Sequence, residues 1–325
     1  MPIALEYVEL VRVGCVFSCL QTGLETGCML IKQILNFSVT VVLVLFFMIC
    51  PAWSAGHDLA YIRESGVLRH LGVPYAHFII DSETGLDVEI MRGFAAYLGV
   101  EYRFVKSDWN YLLADLTGRR VKPIGSSVRE LGAARIRGDI IASGLTVLKW
   151  RQKIVNYSVP TFPTQVWGIA RADFPADSVW SGSDDDDIQA VKSLLKGRRV
   201  MGKDGTCLDP ALYGLDEIRA KVFNFPGSLN DIAPAVIRGD ADIALLDVPD
   251  TLVALEKWPD KFKVLGPLSH KQVMGAAFRK DSPELLKAFN RYFKMLQQSG
   301  QYRRLVEKYY PPVFGYFHNF FEQQR

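Results

Sequence analysis

Short apolar runs with strand character alternate with helical segments along most of this chain. Strand-like runs lie at 66–73, 101–105, 139–142, 166–170, 199–202, 222–225 and 241–246. The last run is almost wholly apolar, which is typical of a central strand in a parallel sheet. Helical periodicity is clearest at 86–98 and after Ser282, a candidate N-cap followed by Pro283. Strands that alternate with helices in this way predict an α/β fold.

The composition is that of an ordinary globular protein. Of the 325 residues, 49% are hydrophobic and 22% are charged, and the net charge is only +3. These values exclude the disordered and fibrous classes of protein. Because the net charge is small and no dense block of Lys and Arg occurs, nucleic acid is excluded as the expected partner.

The N-terminal region has the order of a secretory leader. Lys32 is followed by an uncharged apolar core at 39–49 and then by small residues. A membrane-spanning helix needs about 20 apolar residues, so a signal peptide cleaved near Ser54 or Ala55 is favoured over a spanning helix. We therefore predict a leader at 1–55 and a periplasmic location for the mature protein.

Cysteine usage predicts a mature protein without a disulfide or a lipid anchor. Only Cys207 lies beyond the predicted leader, and the other four are Cys15, Cys19, Cys28 and Cys50. A single cysteine cannot form an internal disulfide. Cys50 follows an apolar Phe-Met-Ile run and lacks the small residue that precedes a lipidated cysteine, so the mature protein is expected to be soluble and not lipidated. Met1 and Met29 are both candidate starts, since residues 1–28 are unusual in a signal peptide.

Five segments of the chain form an ordered set. They are Gly85-Leu86-Asp87-Val88-Glu89-Ile90 leading to 98–100; 138–146 with Arg151 and 157–160; 197–200 leading to Gly205-Thr206; 239–247; and 283–309. Taken in order, they resemble the signatures of the family 3 extracellular solute-binding proteins, which serve polar and general amino-acid importers. The resemblance spans nearly the whole predicted mature chain. It rests on the set of segments and their order, because no single motif is decisive.

The resemblance implies a type II periplasmic-binding-protein fold, with two α/β lobes joined by two hinge strands and the ligand in the cleft between them. The first lobe would be residues 56–165 plus 272–325, and the second lobe residues 166–271. The implied function is the capture of a small amino acid, or a related amino-carboxylate, for the membrane permease of an ABC importer. We expect a monomer that is not an enzyme and needs no cofactor or metal, because no metal-ligand spacing or nucleophile motif occurs in the sequence.

The resemblance places Arg151 on the ligand carboxylate, with Ser143, Gly144 and Thr146 beside it. A guanidinium offers two parallel hydrogen bonds to a carboxylate, which suits this role. The alternative is an arginine that faces solvent, and composition alone favours that alternative.

Two residues of the implied second lobe complete the binding site for the carboxylate and ammonium of the amino acid. Thr206 matches the second donor to the carboxylate, and Asp247 matches the partner of the ligand ammonium. Both have an alternative role as the N-cap of a helix, and for Thr206 the two roles can coexist. Tyr75, Phe78 and Trp109 are candidate aromatic walls of the site, although aromatic residues are more often core residues than ligand contacts.

The chain departs from the family pattern at several places. Lys149 and Asn156 stand where the family usually has acidic residues, and neither position normally touches ligand. The segment Thr117–Leu131 looks inserted and carries four basic residues. If it borders the cleft it favours an acidic or larger ligand; otherwise it is a solvated basic loop, the reading that its composition favours.

A run of four aspartates at 184–187 does not have the pattern of a calcium loop. Calcium loops space their ligands around a glycine and end in a glutamate, and this run does neither. It is expected to be a solvated loop that ends in an N-cap.

Two other functions compete with capture for import. The same fold hosts periplasmic dehydratases of the cyclohexadienyl type, but the sequence offers no obvious acid or base for catalysis beyond Asp247 and Asp250. The third candidate is a sensor that signals through a separate partner protein. The sequence does not identify the amino acid, because side-chain selectivity depends on the geometry of the cleft.

Overall fold

Two five-stranded sheets organise the residues that the computed structural model describes, 58–322. The first sheet has the strand order β2-β1-β5-β14-β6. Its strands are β1 (Val67–Gly72), β2 (Glu101–Lys106), β5 (Ile140–Ile141), β6 (Val155–Tyr157) and β14 (Ala277–Arg279). Strand β1 is parallel to β2 and β5, whereas β14 is antiparallel to β5 and β6. The predicted leader at 1–55 lies outside the described residues.

The second sheet has the strand order β10-β9-β11-β8-β12. Its strands are β8 (Val166–Arg171), β9 (Arg199–Gly202), β10 (Lys221–Asn224), β11 (Ile243–Asp247) and β12 (Phe262–Pro267). Strand β9 is parallel to β10 and β11, and β8 is antiparallel to β11 and β12. Every residue of β11 is buried, as its apolar sequence predicts for a central strand.

Two short strands connect the sheets. The chain leaves the first sheet through β7 (Phe162–Thr164) and returns from the second through β13 (Gln272–Met274). These two strands pair with each other in antiparallel fashion. We use "first lobe" and "second lobe" for the two sheets with the helices packed on them; the exact lobe boundaries stay a prediction.

Helices cover the sheets. They are α1 (Leu59–Ser65), α2 (Leu86–Leu98), α3 (Leu112–Thr117), α4 (Asp184–Leu195), α5 (Ile232–Arg238), α6 (Val248–Lys257), α7 (Pro283–Gln298), α8 (Gln301–Tyr309), α9 (Val313–Tyr316) and α10 (His318–Glu322). Short 3-10 helices lie at Arg151–Lys153, Pro210–Tyr213 and Leu229–Asp231. Within 58–322, no helix has the length and apolar content needed to cross a bilayer.

The helix α7 follows its predicted pattern, and part of its N-terminal capping comes from far along the chain. It begins at Pro283, directly after Ser282, and buries the apolar face that includes Leu285 and Phe289. The carboxylate of Asp58 accepts the backbone N–H of Leu285 at 2.7 Å and that of Glu284 at 3.2 Å. These bonds satisfy first-turn donors that have no partner within a helix.

The aspartate run is helical, so its prediction as a loop is wrong for residues 184–187. Helix α4 starts at Asp184, and the Ser183 hydroxyl accepts the backbone N–H of Asp186 as an N-cap. Four carboxylates in the first turn lie near the positive end of the helix dipole, which stabilises the helix.

The inserted basic segment is a β-hairpin, so the expectation of a solvated loop is wrong. Strand β3 (Arg119–Ile124) pairs in antiparallel fashion with β4 (Ser127–Ala133). The two-residue turn between them begins at Gly125, whose φ of 57° suits a tight hairpin turn.

Candidate ligand-binding site

Three hydrogen bonds join the lobes across the cleft. The Tyr75 hydroxyl donates to Asp247 Oδ1, and the backbone N–H of Ala76 donates to Asn230 Oδ1 at 2.9 Å. Arg151 Nη2 donates to the backbone carbonyl of Gly205 at 2.9 Å. The lobes are therefore closed on each other at the positions where the family signatures place a ligand.

Arg151 is a buried cation at the start of a 3-10 helix. Its residue is 3% exposed, and its guanidinium lies 5.3 Å from the centre of the Trp150 ring. Nη1 donates to the carbonyl of Thr146 at 3.1 Å, while Nε has no acceptor among the described residues. No carboxylate in the described part of the chain forms an ion pair with Arg151. The alternative of an arginine that faces solvent is therefore wrong.

Asp247 combines the two roles considered for it. It ends β11 and is the N-cap of α6, where its Oδ1 accepts the backbone N–H of Asp250 at 3.3 Å. The same oxygen accepts the Tyr75 hydroxyl, and Oδ2 lies 3.8 Å from the Sγ of Cys207. Burial raises the pKa of Asp247 to about 6. Capping thus uses one oxygen of a carboxylate that also faces the first lobe.

Asp250 is a second buried carboxyl group beside Asp247. It is 5% exposed, and its Oδ2 has no donor within the described range. Burial, and then the charge of Asp247, raise the pKa of Asp250 well above its usual range. The site therefore contains two buried acidic side chains, and neither forms a salt bridge to a described Lys or Arg.

Two further polar groups in the cleft lack hydrogen-bond partners among residues 58–322. Thr146 is 1% exposed, and its hydroxyl forms no hydrogen bond to any residue in 58–322. Its carbonyl accepts from Arg151 and from the Tyr157 hydroxyl at 3.1 Å, which fixes the residue in place. The indole Nε1 of Trp109 is also buried and has no acceptor among the residues seen. Unpaired buried polar atoms are rare in folded proteins, so their concentration in the cleft makes it the candidate binding site.

Three predicted residues have their hydrogen-bonding groups engaged within the chain. The Ser143 hydroxyl donates to the Val73 carbonyl at 2.9 Å and accepts the Val73 N–H at 3.1 Å. The Gly144 N–H donates to Asp87 at 2.8 Å. The Thr206 hydroxyl donates to the Lys203 carbonyl at 2.8 Å and accepts the Leu208 N–H at 3.0 Å. These residues shape the backbone around the site, and their ligand contacts stay a prediction.

Gly144 has a second structural reason to be glycine. Its φ is +56°, and an added Cβ would lie 2.5 Å from the ring of Phe78 and 3.0 Å from that of Tyr75. A larger residue would therefore displace the rings of Phe78 and Tyr75.

The three predicted aromatic residues form one cluster with different exposures. The Tyr75 ring stacks on Phe78 at 5.9 Å between centroids and meets Trp109 edge-on at 5.5 Å. Phe78 also packs against Phe162 and Tyr310, each at 5.1 Å, and it is only 1% exposed. Phe78 thus lies in the core behind Tyr75, whereas Trp109 is partly buried and borders a cavity.

Sequence reasoning did not assign three residues that the structure places at the site. The sequence indicates Asp250 only as a possible acid or base, and it indicates no role for Asn230 or Cys207. Cys207 is 6% exposed, and burial followed by the charge of Asp247 raises its pKa to about 12. A signal existed only for Asp250, which lies three residues after Asp247 and therefore faces it within one helical turn.

Comparisons with known proteins identify the family. Residues 120–312 match the bacterial extracellular solute-binding proteins, family 3. The L-cystine-binding protein TcyJ of Escherichia coli K12 is 24% identical over 229 residues, which cover 70% of this chain and 74% of that protein.

Solved structures share the fold. A mutant of ArgBP from T. maritima is 26% identical, covers 78% of this chain and 99% of its own, and superposes with a TM-score of 0.60. The ancestral amino acid-binding protein AncCDT-1, a precursor of cyclohexadienyl dehydratase, is 24% identical, covers 78% and 98%, and has a TM-score of 0.59. The expected two-lobed type II fold is confirmed. The chain belongs to the family 3 bacterial extracellular solute-binding proteins.

Proposed function

We propose that this protein captures a free amino acid in the periplasm and delivers it to an ABC importer. The observation that carries the proposal is the separation of unpaired charge in the cleft. Arg151 is a buried cation without a carboxylate partner among residues 58–322, and Asp247 and Asp250 are buried acids without a basic partner there. A zwitterionic amino acid supplies both missing partners, because a buried charge is stable only when it is paired.

The guanidinium of Arg151 retains donors for the ligand carboxylate. Of its five N–H groups, one goes to the Thr146 carbonyl and one to the Gly205 carbonyl. The Nε–H and one N–H on each Nη remain, so a side-on pair of hydrogen bonds to a carboxylate is available. The free hydroxyl of Thr146 provides a third donor beside it.

The ligand ammonium then pairs with Asp247. The Tyr75 hydroxyl and the Asp250 N–H both converge on Oδ1, which leaves Oδ2 to accept a further donor. Oδ2 faces the Cys207 thiol, a weak donor that an ammonium readily replaces. Support for the amino-acid assignment also comes from the relatives, since TcyJ is named for L-cystine and AncCDT-1 is named as an amino acid-binding protein.

Capture and release require the lobes to part. Opening breaks the three hydrogen bonds of Tyr75, Ala76 and Arg151 to the second lobe, and the paired strands β7 and β13 are the only strands that cross between the sheets in the part described. Hinge closure around a ligand is a common form of domain motion. The proposal includes a signal peptide, a soluble monomer and a membrane permease as the receiving partner.

A catalytic role is the second candidate, and one observation favours it. Asp247 and Asp250 are neighbouring buried acids with raised pKa values, a property that clusters at active sites. An acid–base pair of this kind would change its ligand chemically, whereas a binding protein releases it unaltered. Recovery of the bound compound therefore separates the two functions.

A thermal-shift screen tests the proposed function. We expect at least one of the twenty amino acids or L-cystine to raise the melting temperature of residues 56–325. A ligand at a hundred times its Kd adds about 2.7 kcal/mol of stability, which corresponds to roughly 5–10 °C for a protein of this size. Mass spectrometry of the released ligand should show it unchanged. No shift with any amino acid would overturn amino-acid capture, and a converted ligand would establish an enzyme.

The pH dependence of binding should report the ionisation of Asp247. The ligand ammonium pairs with the ionised carboxylate, and the pKa of Asp247 is about 6. Affinity should therefore be nearly constant above pH 7 and fall about tenfold between pH 7 and pH 5, in proportion to the ionised fraction. Titration calorimetry at several pH values measures this.

Asp87 provides the control for the pH experiment. Burial raises its pKa to about 7, although the hydrogen bond from the Gly144 N–H opposes this. The Asp87→Asn variant should keep the loss of affinity at low pH, whereas Asp247→Asn should remove it. If the affinity of Asp87→Asn no longer depends on pH, then Asp87 is the group that titrates. That result would contradict the role given to Asp247.

A further inference from the structure

The hairpin β3–β4 forms one wall of a cavity beside the proposed site. The cavity has a volume of about 540 Å³ and lies between the hairpin and the start of α3 on one side and residues 204–211 of the second lobe on the other. Its lining includes Trp109, Arg120, Lys122, Arg151, Asp204 and Gly205. Because Arg151 and Trp109 also belong to the proposed site, the cavity continues the cleft toward the hairpin.

The cavity is larger than the α-carboxylate and α-ammonium groups of an amino acid require. Pockets of about 300–1,000 Å³ hold drug-sized ligands. In the proposed site, the α-carboxylate of the amino acid binds Arg151 and its α-ammonium binds Asp247. The space bordered by the hairpin is therefore available to the ligand side chain.

The hairpin brings positive charge to this space. Arg120 and Lys122 are exposed, and neither forms an ion pair with any residue that the structure describes. They lie two positions apart on β3, whose pairing with β4 is irregular between Arg120 and Val121, and both line the cavity. Two cations that border one cavity favour an anionic group within it.

The opposite wall of the cavity carries less negative charge than the hairpin carries positive charge. Asp209 is engaged as a cap, because its carboxylate accepts the N–H of Ala211 at 3.0 Å and that of Gly205 at 3.2 Å. Asp204 is the one acidic lining residue whose carboxylate makes no hydrogen bond within 58–322. The buried indole N–H of Trp109, a donor without an acceptor there, adds a third group that favours an anion.

We propose that Arg120 and Lys122 form a second anion-binding subsite, so that the preferred ligand is an amino acid whose side chain ends in a carboxylate. This inference rests on the proposed function, since it takes the amino-acid head to lie on Arg151 and Asp247. The hairpin is then a specificity element, and it selects for acidic side chains over basic ones of equal length.

Three ligands of matched length test the subsite by titration calorimetry on residues 56–325. L-2-aminoadipate ends in a carboxylate, L-lysine in an ammonium and L-norleucine in a methyl group. We expect L-2-aminoadipate to bind most tightly. In the double variant Arg120→Gln/Lys122→Gln its affinity should fall about tenfold, since each exposed ion pair contributes up to about a factor of five, while L-norleucine should change by less than about twofold.

Arg119 supplies the matched control. It immediately precedes Arg120 on β3, so its side chain projects from the opposite face of the strand, and it is exposed but does not line the cavity. Arg119→Gln removes a positive charge from the hairpin and should leave the affinity for L-2-aminoadipate within about twofold. An equal loss in this control would show a general charge effect and overturn the subsite.

The remaining outcomes separate this inference from the proposed function. If L-norleucine or L-lysine binds at least as tightly as L-2-aminoadipate, the subsite is wrong and amino-acid capture stands. The same holds if none of the three binds while another amino acid gives a thermal shift. If no amino acid shifts the melting temperature, both the function and the subsite fail.

Discussion

Arg151→Lys should bind the ligand at least about thirtyfold more weakly than the wild type, although the substitution preserves the charge. Truncating one member of a buried, hydrogen-bonded charge pair costs about 2–5 kcal/mol of binding. Arg151 donates to the Thr146 and Gly205 carbonyls and still has a side-on pair of N–H groups for a carboxylate. A lysine ammonium has only three donors on one atom, so it cannot span both carbonyls and also hold a carboxylate in two places.

Titration calorimetry with the best ligand from the thermal-shift screen measures this loss. Arg103→Lys is the control, because Arg103 is an arginine on β2 whose side chain is 55% exposed and forms an ion pair with Glu101. The control should bind within about twofold of the wild type, as expected for an exposed ion pair. Unchanged affinity in a folded Arg151→Lys protein would place Arg151 outside the site.

The regular elements were predictable where burial imposes a period on the sequence. Strand β11 is buried along its whole length, and α7 buries one face, so each carries a clear hydrophobic pattern. The pairing of β14 with β5 and β6 was not predictable from such patterns. These strands are more than a hundred residues apart in the chain, and a local period contains no information about a distant partner.

The hairpin β3–β4 was not predicted from the sequence because its strands lack a hydrophobic pattern. No residue of either strand is fully buried, so the strands have little apolar alternation to reveal them. Pro123 within β3 also argues against a strand, yet proline is tolerated at an edge position such as this one. The sequence of a two-stranded sheet on the surface therefore predicts a basic loop, and only the structure shows the backbone pairing.

Individual site residues were predictable only where the family signature specifies a charged side chain. The signature singled out Arg151 and Asp247, which prove to be the buried, oppositely charged groups of the cleft. It did not show that the hydroxyls of Ser143 and Thr206 are used by neighbouring backbone groups. Hydrogen-bond satisfaction depends on local geometry, which a motif does not specify.

Asp247→Asn should stabilise the unliganded protein and abolish most of its ligand binding, two effects of opposite sign. Asparagine caps helices about as well as aspartate, and its side-chain oxygen can still accept from Tyr75 and from the Asp250 N–H. The ionised carboxylate, in contrast, is destabilised by burial, which raises the pKa of Asp247 from 3.8 to about 6. A shift of this size corresponds to about 3 kcal/mol against the folded state at pH 7.

The sign of the pH effect follows from proton binding. The folded protein binds a proton at Asp247 more tightly than the unfolded chain does, so this residue makes the wild type less stable as the pH rises from about 4 to about 6. The neutral asparagine has no such dependence. Asp247→Asn should therefore melt several degrees higher than the wild type at pH 7, and the difference should shrink as the pH falls from about 6 to about 4.

Binding separates the ammonium partner from a helix cap. If Asp247 pairs with the ligand ammonium, the Asn variant should lose between thirtyfold and several thousandfold in affinity, because its amide offers no charge to the ammonium. Melting curves and a calorimetric titration on the same preparation measure both effects. A variant that melts higher and also binds with near-native affinity would leave Asp247 as a cap alone. The ligand would then be a carboxylate without an ammonium, held by Arg151 and the free hydroxyl of Thr146.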